Sequence, residues 1–79
     1  MTETHGGVEF TIEENNYLES YNLLTGVETR RYIARFYDPS GKFVIQGGST
    51  TGRLSALSHA RRNLYDRYGS YVNGSMNYK

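Results

Sequence analysis

The chain lacks cysteine entirely and has only two histidines and one proline among its 79 residues. Without cysteine it can form neither a disulfide nor a thiolate metal site. No apolar run approaches the length that spans a bilayer, and no charged-then-apolar leader opens the chain. We therefore expect one small soluble domain, residues 1–79, that works in the cytoplasm and does not bind membranes.

The residues that catalysis usually needs are also scarce. His5 falls in a polar, Gly-terminated segment, residues 1–7, that we expect to be a loose lead-in, and His59 falls on the polar face of a predicted helix. A surface histidine on a helix, such as His59, is usually only solvated when no paired carboxylate is in view. Glu13 and Glu14 would point to opposite faces of a strand, which makes them a poor acid/base pair. The chain shows no phosphate-binding glycine motif and no metal-ligand cluster, so we predict no enzyme activity, no metal and no cofactor.

Tyrosine and the order of the charges are the features that stand out. Eight tyrosines and three phenylalanines argue for a folded chain despite a mean hydropathy of −0.68. We expect most of these tyrosines to cap a thin core, although tyrosine also suits interfaces. Residues 1–28 contain six glutamates and no basic residue, whereas residues 29–79 contain all nine basic residues and two aspartates. Such asymmetry between halves indicates interaction, either with a partner or between the halves themselves.

Alternation of apolar and polar residues predicts the strands. Val8, Phe10 and Ile12 alternate with polar neighbours and favour a half-buried strand. Residues 17–24 fit a helix or a strand, and the Thr25-Gly26 step that follows favours a strand that ends in a tight turn.

A second hairpin is predicted around residues 38–41, Asp-Pro-Ser-Gly, which suit a type I turn. A four-residue loop would place Tyr37 opposite Lys42 and Phe36 opposite Phe43, with Ile33 and Val44 on the outer face. Gly47-Gly48 would end the strand, and residues 49–51 offer helix N-caps.

Apolar residues then recur three or four apart from Leu54 to Tyr68, which predicts one amphipathic helix ending near Gly69. The tail, residues 70–79, is either a short last strand or frayed. The expected fold is α+β, an antiparallel sheet of three to four strands with one C-terminal amphipathic helix packed on one face. The predicted core contains Val8, Phe10, Ile12, Tyr32, Ala34, Phe36, Phe43, Ile45, Leu54, Leu57, Ala60 and Leu64.

Basic residues of the predicted hairpin could bind nucleic acid, because arginines two apart on a strand can follow phosphates or reach base edges. Residues 30–69, with a strand hairpin, a Gly-Ser-Thr step and an Ala-containing helix, resemble AP2-type DNA-binding domains and the arm-binding domains of phage integrases. That resemblance implies DNA reading by Arg31, Arg35 and Tyr37 on the sheet. The candidate nucleic-acid-binding set is Arg31, Arg35, Tyr37, Lys42 and Arg62.

The acidic half predicts a different partner. Carboxylates spaced along a strand repel DNA and can compete for basic nucleic-acid channels of another protein. In size, build and tyrosine content the chain resembles small phage-encoded inhibitors such as anti-CRISPR proteins, which implies docking on a host protein or ribonucleoprotein complex and occlusion of it. The candidate partner-binding set is Glu9, Glu13, Glu14, Glu19, Tyr17 and Tyr21.

Two further interpretations stay open. The acidic strand could pack beside the basic hairpin and neutralise it within one fold. Arg61 tests this, because it falls inside the apolar stripe of the helix and should find a carboxylate, for which Glu19 is our candidate. Alternatively, the acidic end of one copy could meet the basic end of another in a homo-oligomer.

Overall fold

The computed structural model describes residues 1–69 and the backbone of two short strands beyond them. Its elements are β1 Thr2–His5, β2 Val8–Tyr21, β3 Glu28–Tyr37, β4 Phe43–Ser49, α1 Arg53–Tyr68, β5 Tyr71–Val72 and β6 Ser75–Met76. Strands β1 to β4 form an antiparallel sheet in chain order, and β5 pairs with β6 in a separate two-stranded sheet. The α+β prediction is confirmed. None of the helices in the described part is long and apolar enough to cross a membrane.

Helix α1 covers one face of the sheet, which we call the helix face. No other element within residues 1–69 covers the opposite face, which we call the outer face. Leu57, Ala60 and Leu64 of the helix pack on Phe10 and Phe36 of the sheet. The helix ends where the sequence predicts, with Gly69 at φ 68° and its N–H bonded to the Tyr65 carbonyl. The buried apolar residues are Val8, Phe10, Ile12, Ala34, Phe36, Val44, Ala56, Leu57, Ala60 and Leu64.

The predicted β3–β4 register is wrong, because the loop is one residue shorter than expected and the strand pair contains a bulge. Asp38 N–H donates 2.9 Å to the Lys42 carbonyl, so the loop has three residues and ends at Gly41, at φ 86°. Tyr37 therefore lies opposite Phe43, and a bulge follows. Phe43 lies on the outer face, 48% exposed, while Val44 joins the core. A turn at residues 38–41 is confirmed by the Gly41 N–H, which donates 2.9 Å to the Asp38 carbonyl.

The predicted strand end and helix cap also need correction. Strand β4 continues through Gly47 and Gly48 to Ser49. The helix N-cap is Gly52, which makes no side-chain cap hydrogen bond. Ser49 is instead buried in the strand, and its hydroxyl bonds that of Thr51 at 2.8 Å. Leu54, expected in the core, is 71% exposed because the apolar stripe begins later, at the buried Ala56.

The N-terminal segment is part of the sheet rather than a loose lead-in. Strand β1 pairs with β2 from Thr2 opposite Thr11 to His5 opposite Val8. The His5 side chain is only 11% exposed, and its ring centroid lies 5.9 Å from that of Phe10. Burial of this ring fixes β1 on the sheet.

Residues 17–21 continue β2 as a strand, so the strand interpretation is confirmed up to Tyr21. Neighbouring strands end earlier: β1 reaches only Thr11 of β2, and β4 reaches only Tyr32 of β3. Residues 17–31 therefore form a two-stranded ribbon beyond the four-stranded sheet, which we call the arm. The arm lengthens the molecule, whose principal dimensions are 54 × 22 × 16 Å.

Candidate binding surfaces

Ion pairs join the acidic first half of the chain to the basic second half. Each joins a glutamate of β1 or β2 to an arginine of β3 or α1, because antiparallel pairing and helix packing bring these segments side by side. The interpretation that the two halves neutralise each other within one fold fits this arrangement. The pairs are Glu13–Arg35 at 3.1 Å, Glu14–Arg53 at 2.7 Å, Glu19–Arg31 at 2.8 Å and Glu3–Arg61.

The outer face centres on Glu13. Its Oε1 atom accepts hydrogen bonds from Arg35 Nη1 at 3.1 Å, Tyr37 OH at 3.3 Å and Asn15 Nδ2 at 3.2 Å. Arg35 also donates 3.2 Å to Gln46 of β4. The Arg35 guanidinium is therefore held by groups on both neighbouring strands.

The structure brings only part of the predicted nucleic-acid set together. Arg31, Arg35 and Tyr37 share the outer face, whereas Arg62 lies on the helix, where it is 3.8 Å from Asp66. Lys42 lies between the β3–β4 loop and β4, and its carbonyl accepts from the Asp38 N–H. Because carboxylates hold the two strand arginines, less of their charge remains for phosphates.

The predicted acidic set is divided between the two faces of β2. Register places Glu9, Glu13 and Tyr17 on the outer face, and Glu14 on the helix face beside Arg53. The other two members are Glu19, at a bulge in the arm, and Tyr21, at its last strand position. A role for this set in partner binding stays a prediction.

A hydrogen-bonded cluster clamps β1 to the helix. Glu3 accepts from Arg61 through both carboxylate oxygens, with Arg61 Nε at 2.9 Å from Oε1, and also lies 2.9 Å from His5 Nε2. His5 Nδ1 lies 2.7 Å from the Tyr65 hydroxyl. These contacts are satisfied when Nε2 carries the proton, so that Tyr65 donates to Nδ1.

The predicted Arg61–Glu19 contact is wrong. Glu19 lies in the arm and pairs with Arg31, whereas Arg61 faces β1, which the sequence placed outside the sheet. The requirement that Arg61 find a carboxylate is met by Glu3. Hydrogen bonds from Arg61, opposed by burial and helped by His5, hold the pKa of the Glu3 carboxyl below its ordinary value, and Glu3 raises the pKa of Arg61.

We expect Glu3→Gln to destabilise the protein at neutral pH and to flatten its stability profile in acid. Because the pKa of Glu3 is lowered in the folded state, its contribution is fully present above about 4.5 and is lost as pH falls through the lowered value. The expected loss at pH 7 is about 1 kcal/mol, given partial exposure, or roughly 4–8 °C in Tm. Thermal unfolding from pH 7 to 2.5 measures it. Glu9→Gln, an exposed glutamate outside these ion pairs, is the control; an equal change there would contradict the clamp.

An open cleft of about 210 Å³ lies where the arm meets the start of the helix. Its lining includes Glu14, Asn16, Tyr32, Arg53 and Ala56. Arg53 Nη2 donates 3.0 Å to Glu14 Oε2, while the buried Oε1 accepts no hydrogen bond although Arg53 Nε lies 2.7 Å away. The charged groups of Glu14 and Arg53 in this cleft are thus paired with each other.

The end of the arm presents apolar side chains to solvent. Leu23, Leu24 and Val27 are 88%, 97% and 58% exposed. We call these three residues the tip. Hydrogen bonds hold the loop that carries these residues in a defined conformation. Asn22 Oδ1 accepts from the Leu24 N–H at 2.9 Å, and the N–H of Gly26, at φ 73°, donates 2.8 Å to the Asn22 carbonyl. Sequence reasoning missed the tip, although two adjacent leucines before a Thr-Gly turn were its signal.

Within the described residues, no three His, Cys, Asp or Glu side chains are grouped so that they could hold a metal ion. The described surface thus has three features. They are a charged outer face whose arginines are ion-paired with glutamates, an N-terminal strand that hydrogen bonds hold to the helix, and an apolar tip on a projecting arm. Comparison of the chain with protein-family models, curated proteins and solved structures finds no match.

Proposed function

We propose that the protein is a non-catalytic binding protein that docks the arm on a host protein or ribonucleoprotein complex. The observation that supports this is the tip, in which Leu23 and Leu24 are almost fully exposed on a hydrogen-bonded loop. Leucines exposed to this degree gain about 1.5–3 kcal/mol each when a partner buries them. A projecting apolar element of this kind is typical of an interaction site.

Occlusion is the proposed mechanism. The arm is narrow, two strands wide, and could enter a groove that normally holds nucleic acid or another subunit. Resemblance in type to small phage inhibitors implies a target of this class, reached in the cytoplasm. Charges on the arm are mixed, with Glu19 and Glu28 beside Arg30 and Arg31, so apolar contact at the tip would supply most of the affinity and the charges would orient the arm.

Site-specific photo-cross-linking in cells of the native host tests the proposal. A photoreactive residue at Leu24 should capture one predominant protein, and the same residue at Ser58, on the exposed side of α1, should not. Purified target should then lose its nucleic acid or subunit when the protein is added. Equal cross-linking at both positions, or none at Leu24, would contradict docking through the arm.

DNA reading through the outer face is the second candidate, favoured by the spacing of Arg31 and Arg35 on β3. Since each arginine already has a carboxylate partner, we expect weak binding to random duplex DNA even at low salt. Titration at low and moderate salt measures it. Tight binding that falls steeply with salt and is abolished by Arg31→Ala with Arg35→Ala would establish the DNA reader instead. Light scattering over the same salt range tests the homo-oligomer.

A further inference from the structure

One edge of strand β2 is left open where the arm begins. Ile12 N–H donates 2.8 Å to the Met1 carbonyl, which shows that the backbone of even-numbered residues here points toward β1. Strand geometry alternates, so the N–H and C=O groups of Glu14, Asn16 and Leu18 point the same way. Strand β1 runs antiparallel to β2 and begins opposite Thr11, and none of the described strands pairs with residues 14, 16 and 18 along this edge. We call residues 14–18 the open edge.

The open edge has few of the devices that keep exposed strands from pairing. Residues 13–21 contain neither lysine nor proline, and the bulge lies at the far end, between Leu18 and Ser20. Side chains on both sides of the edge could cover an added strand, since Tyr17 on the outer face is 48% exposed and Leu18 on the helix face is 46% exposed.

Charge decides what kind of strand fits. The β2 side chains nearest the open edge include Glu13, Glu14 and Glu19, so pairing of this edge with the same edge of a second copy would bring like charges together. On its other edge β2 already pairs with a basic strand, where its glutamates contact Arg31 and Arg35.

The same glutamates retain acceptors for a second basic strand. All donors found for Glu13 among the described residues converge on Oε1, and Arg31 Nε contacts Glu19 at Oε1. No donor within residues 1–69 is found for the second carboxylate oxygen of either glutamate, so that oxygen can accept from an incoming donor.

We propose that the open edge binds an extended segment of a partner protein as an added β-strand, and that this segment carries arginine or lysine at alternate positions. The proposal rests on the proposed function in that the arm is the docking element; it adds how the partner binds and its chemistry. Backbone hydrogen bonds would supply affinity and alternate side chains specificity.

Amide hydrogen exchange with a synthetic peptide tests the proposal on the full chain. The probe is a capped peptide alternating arginine and valine, and its control alternates glutamate and valine. At saturation the basic peptide should slow exchange at Glu14, Asn16 and Leu18 by at least about tenfold. Exchange at Asn15 and Tyr17, whose N–H groups point toward β3, should change little. The acidic peptide should protect none of these amides.

Variants separate edge pairing from simple attraction. Asn16→Pro removes an N–H of the open edge and should abolish protection, whereas Asn16→Ala, which loses only the side chain, should retain it. Glu13→Gln should weaken basic-peptide binding about two- to fivefold, and Glu9→Gln, where β1 covers the strand, should not. Circular dichroism confirms that each variant is folded.

Three outcomes would overturn the proposal. They are peptide binding without protection at the three amides, equal protection by the acidic peptide, and protection without peptide that rises with protein concentration, which would identify a second copy as the occupant. Cross-linking at Leu24 is independent of the peptide, so its success alongside any of these would leave the proposed function standing and reject only the added strand.

Discussion

Replacing Gly47 with alanine is expected to destabilise the protein more than any other single methyl addition at the glycines of the sheet. A Cβ built on Gly47 would lie 2.6 Å from the Ala60 Cα and 2.6 Å from the carbonyl carbon of His59. Both are helix backbone, so neither can move aside without shifting α1 from the sheet. Ala60 is completely buried at this contact.

The expected cost of Gly47→Ala is about 3 kcal/mol or more. A chain of this length has a total stability of roughly 4–12 kcal/mol, so Tm should fall by about 12 °C or more, or the fold should be lost. Thermal unfolding followed by circular dichroism measures it. The neighbouring Gly48→Ala is the matched control, because its Cβ would meet Arg31 Nη1 and the Tyr32 carbonyl at an ordinary 3.5 Å. Equal losses in the two variants would contradict close helix packing as the cause.

The role of Gly47 could not be predicted from local sequence patterns. Two adjacent glycines are typical of a strand end, but they also occur inside a strand where a helix packs directly on the backbone, and the local sequence is the same in both cases. The period-two pattern of Val8, Phe10 and Ile12 and the helical spacing of Leu57, Ala60 and Leu64 predict their burial correctly. These patterns reflect packing that each element makes over its whole length.

Strand register and long-range pairing could not be predicted from such patterns. Because the loop after Asp38 is one residue shorter than predicted and a bulge follows, Phe43 faces solvent and Val44 lies in the core, the reverse of the prediction. A loop of three residues and one of four suit the same Asp-Pro-Ser-Gly sequence, so the choice depends on how β4 packs under the helix. The partner of Arg61 was missed because polar, Gly-terminated residues 1–7 give no strand signal, yet β1 places Glu3 beside the helix.

The double change Leu23→Ser with Leu24→Ser is expected to weaken partner binding strongly and to leave the fold unchanged. Side chains that are 88% and 97% exposed bury almost nothing within the molecule, so Tm should move by no more than surface substitutions usually cause, within about 0.5 kcal/mol. The Asn22 hydrogen bonds that build the loop use the backbone and the Asn22 side chain, and they persist in the variant.

Loss of the two leucines should weaken binding to the partner captured at Leu24 by at least about 30-fold, the effect of removing one strong interface contact. Titration calorimetry with the purified partner measures it. Leu54→Ser is the matched control, because Leu54 is also an exposed leucine, at 71%, but lies at the start of the helix rather than at the tip. A similar loss in both variants would show that exposed apolar surface in general, and not the tip, holds the partner. Full binding by the double variant would show that the tip does not contact the partner, and would leave the open edge of β2 as the binding site on the arm.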